Sequence, residues 1–229
     1  MIAHCLFEQS GTFKDEFKKL GVEAYDYDIL NEFGKTDYVI DLFDEIQGGY
    51  DGKESIFDEF SQNDIIMAFF PCTRFEAKIP LGFRGEMYQQ KNWDDIKKLE
   101  YSIKLHEELH SLYTLLCKMV IIAIRKKLRM VIENPYTQPH YLTTYWCLKP
   151  DLIDKDRRID GDYYKKPTQF WFINCKPKFN FIFEPISYVE QKRTDYIKNE
   201  DKSRKTIRSM MHPQYANRFI RKYILDKEE

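Results

Sequence analysis

The sequence predicts an α/β protein in which a mostly parallel central sheet carries helices on both faces. Three observations predict it. Short apolar runs alternate with polar helical stretches through the first half, the pattern of successive strand-helix-strand units. A later segment repeats its apolar residues every three or four positions, which is helical spacing. The composition, 43% hydrophobic and 32% charged, can both fill a core and clothe its surface. A length of 229 residues fits one domain spanning residues 1–229.

Taken in order, the apolar run at 2–8 is the first strand, and small residues at its end lead into a helix at 12–20. Further strands are expected at 23–28, 38–41, 64–70 and 130–133, with a short helix at 55–60. The clearest helix is 93–127, where Leu105, Leu109, Leu112, Leu116, Met119 and Ile122 form one apolar face. Later come strands at 170–175 and 179–183 and a closing helix at 213–225. The turn-rich RRIDGDYYKKP stretch makes 151–166 an exposed loop. No internal repeat or low-complexity tract interrupts the chain.

Lys plus Arg number 36 and Asp plus Glu 37, so no global charge advertises a polyanionic partner. Nucleic-acid binding would need a local patch, and basic runs lie at 118–129, 154–166 and 191–208. Each also fits a solvated face. Five scattered cysteines suit a reducing cytoplasm, and with no C-x-x-C pair they suggest neither a zinc knuckle nor a redox centre. No apolar run is long enough for a membrane span or a secretory signal.

Chemistry concentrates at the expected strand ends. LFEQSGTF puts Ser10, Gly11 and Thr12 at a strand-to-helix turn, where small residues let a ligand approach the backbone and the helix N-terminus. YDYDI then places Asp26 or Asp28 at the end of the next strand, at a spacing that suits the ribose of an adenosine cofactor. DIIMAFFPCTRFE delivers Pro71 and Cys72 to a loop mouth beside Arg74, whose charge favours a thiolate. RMVIENP ends in Glu133, Asn134 and Pro135. A thiol, a carboxylic acid and a cofactor turn at one sheet edge are what attack on a pyrimidine requires. The thiolate adds to C6 while the acid hydrogen-bonds N3.

With these motifs in this order, the chain resembles the DNA cytosine C5-methyltransferases, and most closely their compact, often phage-borne members. LFEQSGTF resembles their first cofactor motif, FFPCT their Pro-Cys nucleophile motif and IENP their Glu-Asn motif; GDYYKKPTQFWF and HPQYANRFI add a partial likeness. The resemblance implies a Rossmann-like S-adenosylmethionine-dependent methyltransferase fold and a cytoplasmic enzyme, in a bacterial host if phage-encoded. It makes Cys72 the covalent nucleophile and Glu133 the acid on the cytosine. Phe7, Ser10, Gly11 and Thr12 would line S-adenosylmethionine, with Asp28 at its ribose and Asp41 by its adenine. Pro71, Arg74, Asn134, Pro135 and Lys166 would surround the base. Arg157 and Arg158, in the turn-rich loop, are candidates for DNA phosphates.

The first motif has a single glycine where the family has more, Thr73-Arg74-Phe75 follows the nucleophile, and Lys166 and Thr168 stand where arginines are usual. After Phe183 the chain is too short for a separate target-recognition domain, which leaves loops 77–93 and 136–166 to read DNA. These departures motivate an alternative, a catalytically inactive methyltransferase-like protein that binds nucleic acid or a nucleotide. The same thiol and acid would serve a cytosine in RNA. A third possibility comes from His106, Glu107 and His110, an H-E-x-x-H motif on the long helix that a zinc hydrolase would use; the competing expectation is a solvated helical face without metal. The aromatic residues Tyr141, Tyr145 and Trp146, close behind the Glu-Asn-Pro motif, fit either a small satellite core or a stacking platform.

Overall fold

The computed structural model describes residues 1–192 and 204–226. Its centre is a seven-stranded sheet made of β1 (Ile2–Leu6), β2 (Glu23–Asp28), β3 (Tyr38–Val39), β4 (Ile65–Ala68), β5 (Arg129–Pro135), β6 (Leu152–Asp154) and β7 (Thr168–Ile173). The strand order is β3-β2-β1-β4-β5-β7-β6. The first five are parallel, and β7 runs antiparallel to both β5 and β6. This is a Rossmann-like α/β sheet, and its order reverses between β1 and β4, a topological switch point.

Alternation of side chains gives the sheet two apolar faces. Ala3, Cys5, Ile65, Met67 and Val131 point to one face, packed by α1 (Thr12–Lys19) and α7 (Pro213–Phe219). Leu6, Ile66, Ala68, Met130 and Ile132 point to the other, covered by α2 (Leu42–Tyr50) and α4 (Asp95–Lys126). Among the described residues there are also the short helices α3 (Ile79–Phe83), α5 (Tyr141–Tyr145) and α6 (Arg204–Ser209).

Helix α4 is one unbroken element of 32 residues, capped at its start by Asp94, whose carboxylate accepts from the Lys97 N–H at 2.8 Å. At 1.5 Å per residue it is about 48 Å long, whereas a seven-residue strand spans only about 23 Å. Because α4 turns directly into β5, its N-terminal half extends past the carboxyl edge of the sheet. Among the described residues no helix is long and apolar enough to cross a membrane.

Several expectations need correction. The segment 55–60 is a single 3-10 turn at Ile56–Asp58, and the helix in this connection is α2, which the short LFDEIQGGY stretch with its two glycines did not advertise. Residues 179–183 form no strand. Their backbone instead follows the end of α7, with the Asn180 side chain donating to the Arg221 and Leu225 carbonyls at 2.8 Å each. Nor is 151–166 an exposed loop: it contains β6, and Arg157, Asp162 and Tyr164 are buried. The closing helix is present, its last turn widening into a π-helical turn at Ile220–Ile224. Most of the basic run 191–208 lies outside the described residues.

Candidate active site

The site begins where β1 ends. Phe7 turns with φ 60°, a conformation bulky residues rarely adopt and one that gathers at functional sites. Gly11 follows at φ 70° and starts α1. A side chain at Gly11 would be strained by that angle rather than by crowding, since the nearest atoms to an added Cβ lie at 3.4 Å. Between them, Glu8 folds back onto the N-terminus of α1. Its carboxylate accepts from the Phe13 N–H at 2.8 Å and the Lys14 N–H at 3.3 Å. Burial pushes the Glu8 carboxyl up to about 7, although both backbone hydrogen bonds pull the other way.

At the end of β2 two acids part company. Asp26 is fully buried and accepts from the Lys14 ammonium at 2.9 Å, an ion pair beneath α1. Asp28 lies two residues further on and is half-buried; burial raises its pKa despite the Leu30 N–H donated to it at 2.8 Å. Asp41 caps α2 by accepting from the Phe43 N–H at 2.9 Å.

Strands β4 and β5 deliver a thiol and a carboxylic acid. Pro71 and Cys72 follow β4, and Glu133 sits near the end of β5 with one carboxylate oxygen, Oε1, buried and unpartnered. Burial raises the Glu133 carboxyl, opposed by the charges of Lys166 and Arg157. Asn134 ties the two strand ends together, its amide donating to the Phe70 carbonyl at 2.9 Å and to the Glu133 carbonyl at 2.8 Å. Burial also pushes the Cys72 thiol up to about 11; Lys166 lowers it, while Glu76 and Glu133 raise it.

These ends wall one cavity of about 500 Å³, a size common for small-molecule sites. Phe7, Ser10, Thr12, Asp28 and Asp41 line it together with Pro71, Cys72, Glu133, Pro135 and Lys166. From β2 to β5 it crosses three strand spacings, about 14 Å. Among the described residues, four carboxylates, Glu8, Asp28, Asp41 and Glu133, face it against one cation, Lys166.

Five sequence-predicted residues stand elsewhere. Gly11 shapes the turn without lining the cavity, and Asn134 is a buried brace between strands rather than a wall. Arg74 pairs with Glu108 on α4, so it is not the cation beside the thiol; that cation is Lys166. Arg157 is fully buried, paired with the equally buried Asp162 and stacked over Tyr215 at 5.3 Å, so it reaches no phosphate. Arg158 is exposed but engaged by Asp156 at 2.5 Å.

Sequence reasoning missed Glu8, Leu112 and Ser209–Met211 as cavity walls. Leu112 stands out only once α4 is known to run past the sheet edge, and no motif marks the C-terminal segment. The H-E-x-x-H stretch is a helix surface: His106 bonds the Ser102 carbonyl at 2.8 Å and stacks on Phe83 with ring centroids 4.1 Å apart. Among the described residues no group of three or more His, Cys, Asp or Glu side chains is placed to hold a metal ion. Of the aromatic residues behind Pro135, Trp146 packs on Trp171 at 4.9 Å, whereas Tyr145 stays exposed. No protein-family model matches this chain, and no curated protein matches it either. A fold alone assigns no chemistry, so the residues of the cavity carry the assignment.

Proposed function

We propose that this chain methylates C5 of cytosine in DNA, using S-adenosylmethionine and a covalent Cys72 adduct. One observation carries the proposal: a thiol and a buried carboxylic acid on neighbouring strands share a single cavity with the acids at the ends of β2 and β3. The motif resemblance supports the same reading.

The cavity suits the cofactor in two respects. Asp28 and Asp41 line it near the ends of β2 and β3, and a carboxylate at a strand end accepts hydrogen bonds from ribose hydroxyls. The N–H groups that would cradle a pyrophosphate at the start of α1 are already taken by Glu8. An acid-rich cavity with that anion site filled favours a cationic sulfonium over a dinucleotide. When bound, S-adenosylmethionine supplies the methyl group.

The chain's own residues do the rest. A stacked base does not admit a thiol above its ring, so the cytosine must leave the duplex. Cys72 then adds to C6. Glu133, shifted by burial toward its protonated form, donates a hydrogen bond to N3 and takes up the charge that develops there. Lys166 lines the pocket, and its charge, which favours the ionised thiol, stabilises the anionic sulfur.

The test is transfer of a labelled methyl group to duplex DNA. Cys72→Ala abolishes transfer, and Glu133→Gln lowers kcat by about 10²- to 10⁴-fold. A second reading, a non-catalytic binding protein, is favoured by the thiol's rise to about 11, which keeps the nucleophile protonated at rest. Calorimetric binding of S-adenosylmethionine with no transfer to DNA or RNA would support that reading and sink the enzyme.

A further inference from the structure

We propose that Glu76 is a further catalytic residue, accepting the Cys72 proton as the sulfur attacks; this rests on reading Cys72 as the nucleophile. The two groups already touch. The thiol donates to the Glu76 carboxylate, with Sγ 3.8 Å from Oε1, within reach for a sulfur donor. A tight turn makes the contact: the Phe75 N–H donates to the Cys72 carbonyl at 2.8 Å and brings Glu76 back beneath the sulfur.

The charged groups facing Cys72 are Lys166, Glu76 and Glu133. Lys166 is a cation and accepts no proton. Glu133 is buried, and its protonated form is needed at the base. Arg74 is turned toward Glu108. Among the described residues no histidine lines the cavity, so the usual thiol base is missing from its walls. Glu76 is exposed to solvent and can pass a captured proton to water.

In the step, the S–H bond breaks as its proton moves to Glu76 Oε1. The sulfur electron pair forms the S–C6 bond. The electron pair of the C5–C6 double bond is displaced into the ring, where Glu133 stabilises it through N3. Glu76 then releases the proton to water. A thiol held near 11 is almost wholly protonated at neutral pH, so capture of the proton during attack avoids waiting for a rare free thiolate.

Alkylation of Cys72 by iodoacetamide tests this without knowledge of the substrate. The S–H proton again goes to Glu76, an S–C bond forms and iodide leaves. The rate at Cys72 is followed by peptide mass spectrometry on the full chain, which separates it from the other four cysteines. Capture of the proton by Glu76 during attack needs no prior loss of that proton to solvent, so the wild-type rate stays flat between about pH 6 and about pH 8. In Glu76→Gln it falls and rises about tenfold per pH unit, as free thiolate becomes the attacking species. Added acetate restores part of the rate to Glu76→Ala. The proposal is overturned if the wild-type rate itself climbs tenfold per unit, or if Glu76→Gln reacts faster at every pH, because the carboxylate then acts only as a nearby charge. Either result leaves methyl transfer by Cys72 standing, and loss of transfer with normal Glu76-dependent alkylation would fault the methyltransferase reading alone.

Discussion

Glu8 and His140 are both buried, and folding moves their proton affinities in opposite senses. Burial pushes Glu8 up to about 7 from 4.5, and burial takes His140 down to about 4 from 6.5, with neither ring nitrogen partnered. The raised carboxyl stabilises the fold fully below about pH 4.5, and this contribution is lost as pH rises through about 7. The depressed imidazole does the reverse: its contribution is intact above about pH 6.5 and is lost as pH falls through about 4. Each window is worth about 3 kcal/mol. Over their overlap the two effects offset. Thermal unfolding across this range therefore shows Glu8→Gln gaining stability with rising pH relative to wild type, and His140→Phe gaining it with falling pH. Parallel curves for all three proteins would show that neither group titrates as its burial requires. The strand-to-helix turn that holds Glu8 was legible, but the role of Glu8 as an internal cap on α1 was not, because a carboxylate two residues after a strand gives no sign of which way it folds.

The elements most legible in the sequence were those with a long, regular period. Strand β2 lies at its expected bounds, and α1 and α4 fall within two residues of theirs, since Phe13 and Phe17 or the leucine series fix a buried face. The loop between β6 and β7 was misread because its charge is internal. Arg157 looked like a solvent-facing phosphate ligand, yet Asp162, five residues later, neutralises it and accepts from the His212 N–H at 2.8 Å. This pair holds the loop that ends in Lys166. Removing one partner of a buried pair leaves the other charge stranded, so Arg157→Ala costs about 3 to 5 kcal/mol. Arg158→Ala, on an exposed pair, costs less than about 1 kcal/mol. Denaturant titration separates them, and similar midpoints would mean that Arg157 is not buried as described. The stretch 179–183 alternates like a strand, but its backbone is bound to the turn that follows α7, the Asn180 N–H donating to the Lys222 carbonyl at 2.8 Å.

At the scale of the whole molecule, the order reversal between β1 and β4 opens a crevice at the carboxyl edge, and a thiol and several carboxylates line it. That much follows from pattern: strand ends could be counted, so Cys72, Glu133, Asp28 and Asp41 could be expected at one edge. What pattern could not supply is which neighbours they meet. The cation beside the thiol comes from the approach to β7, a wall comes from the middle of α4, and another comes from Ser209–Met211 more than 130 residues beyond Cys72. These are contacts between segments remote in sequence, fixed only when both faces of the sheet are packed.

The central claim is that Cys72 attacks C6 of a cytosine presented to this cavity. It is tested most directly by mixing the protein with S-adenosylmethionine and duplex DNA carrying 5-fluorocytosine, in which the fluorine blocks release of the enzyme after methyl transfer. The expected result is a denaturation-resistant protein-DNA adduct that forms with wild type and disappears in Cys72→Ala. Folded, cofactor-binding protein that yields no adduct on fluorinated DNA or RNA of varied sequence would contradict it.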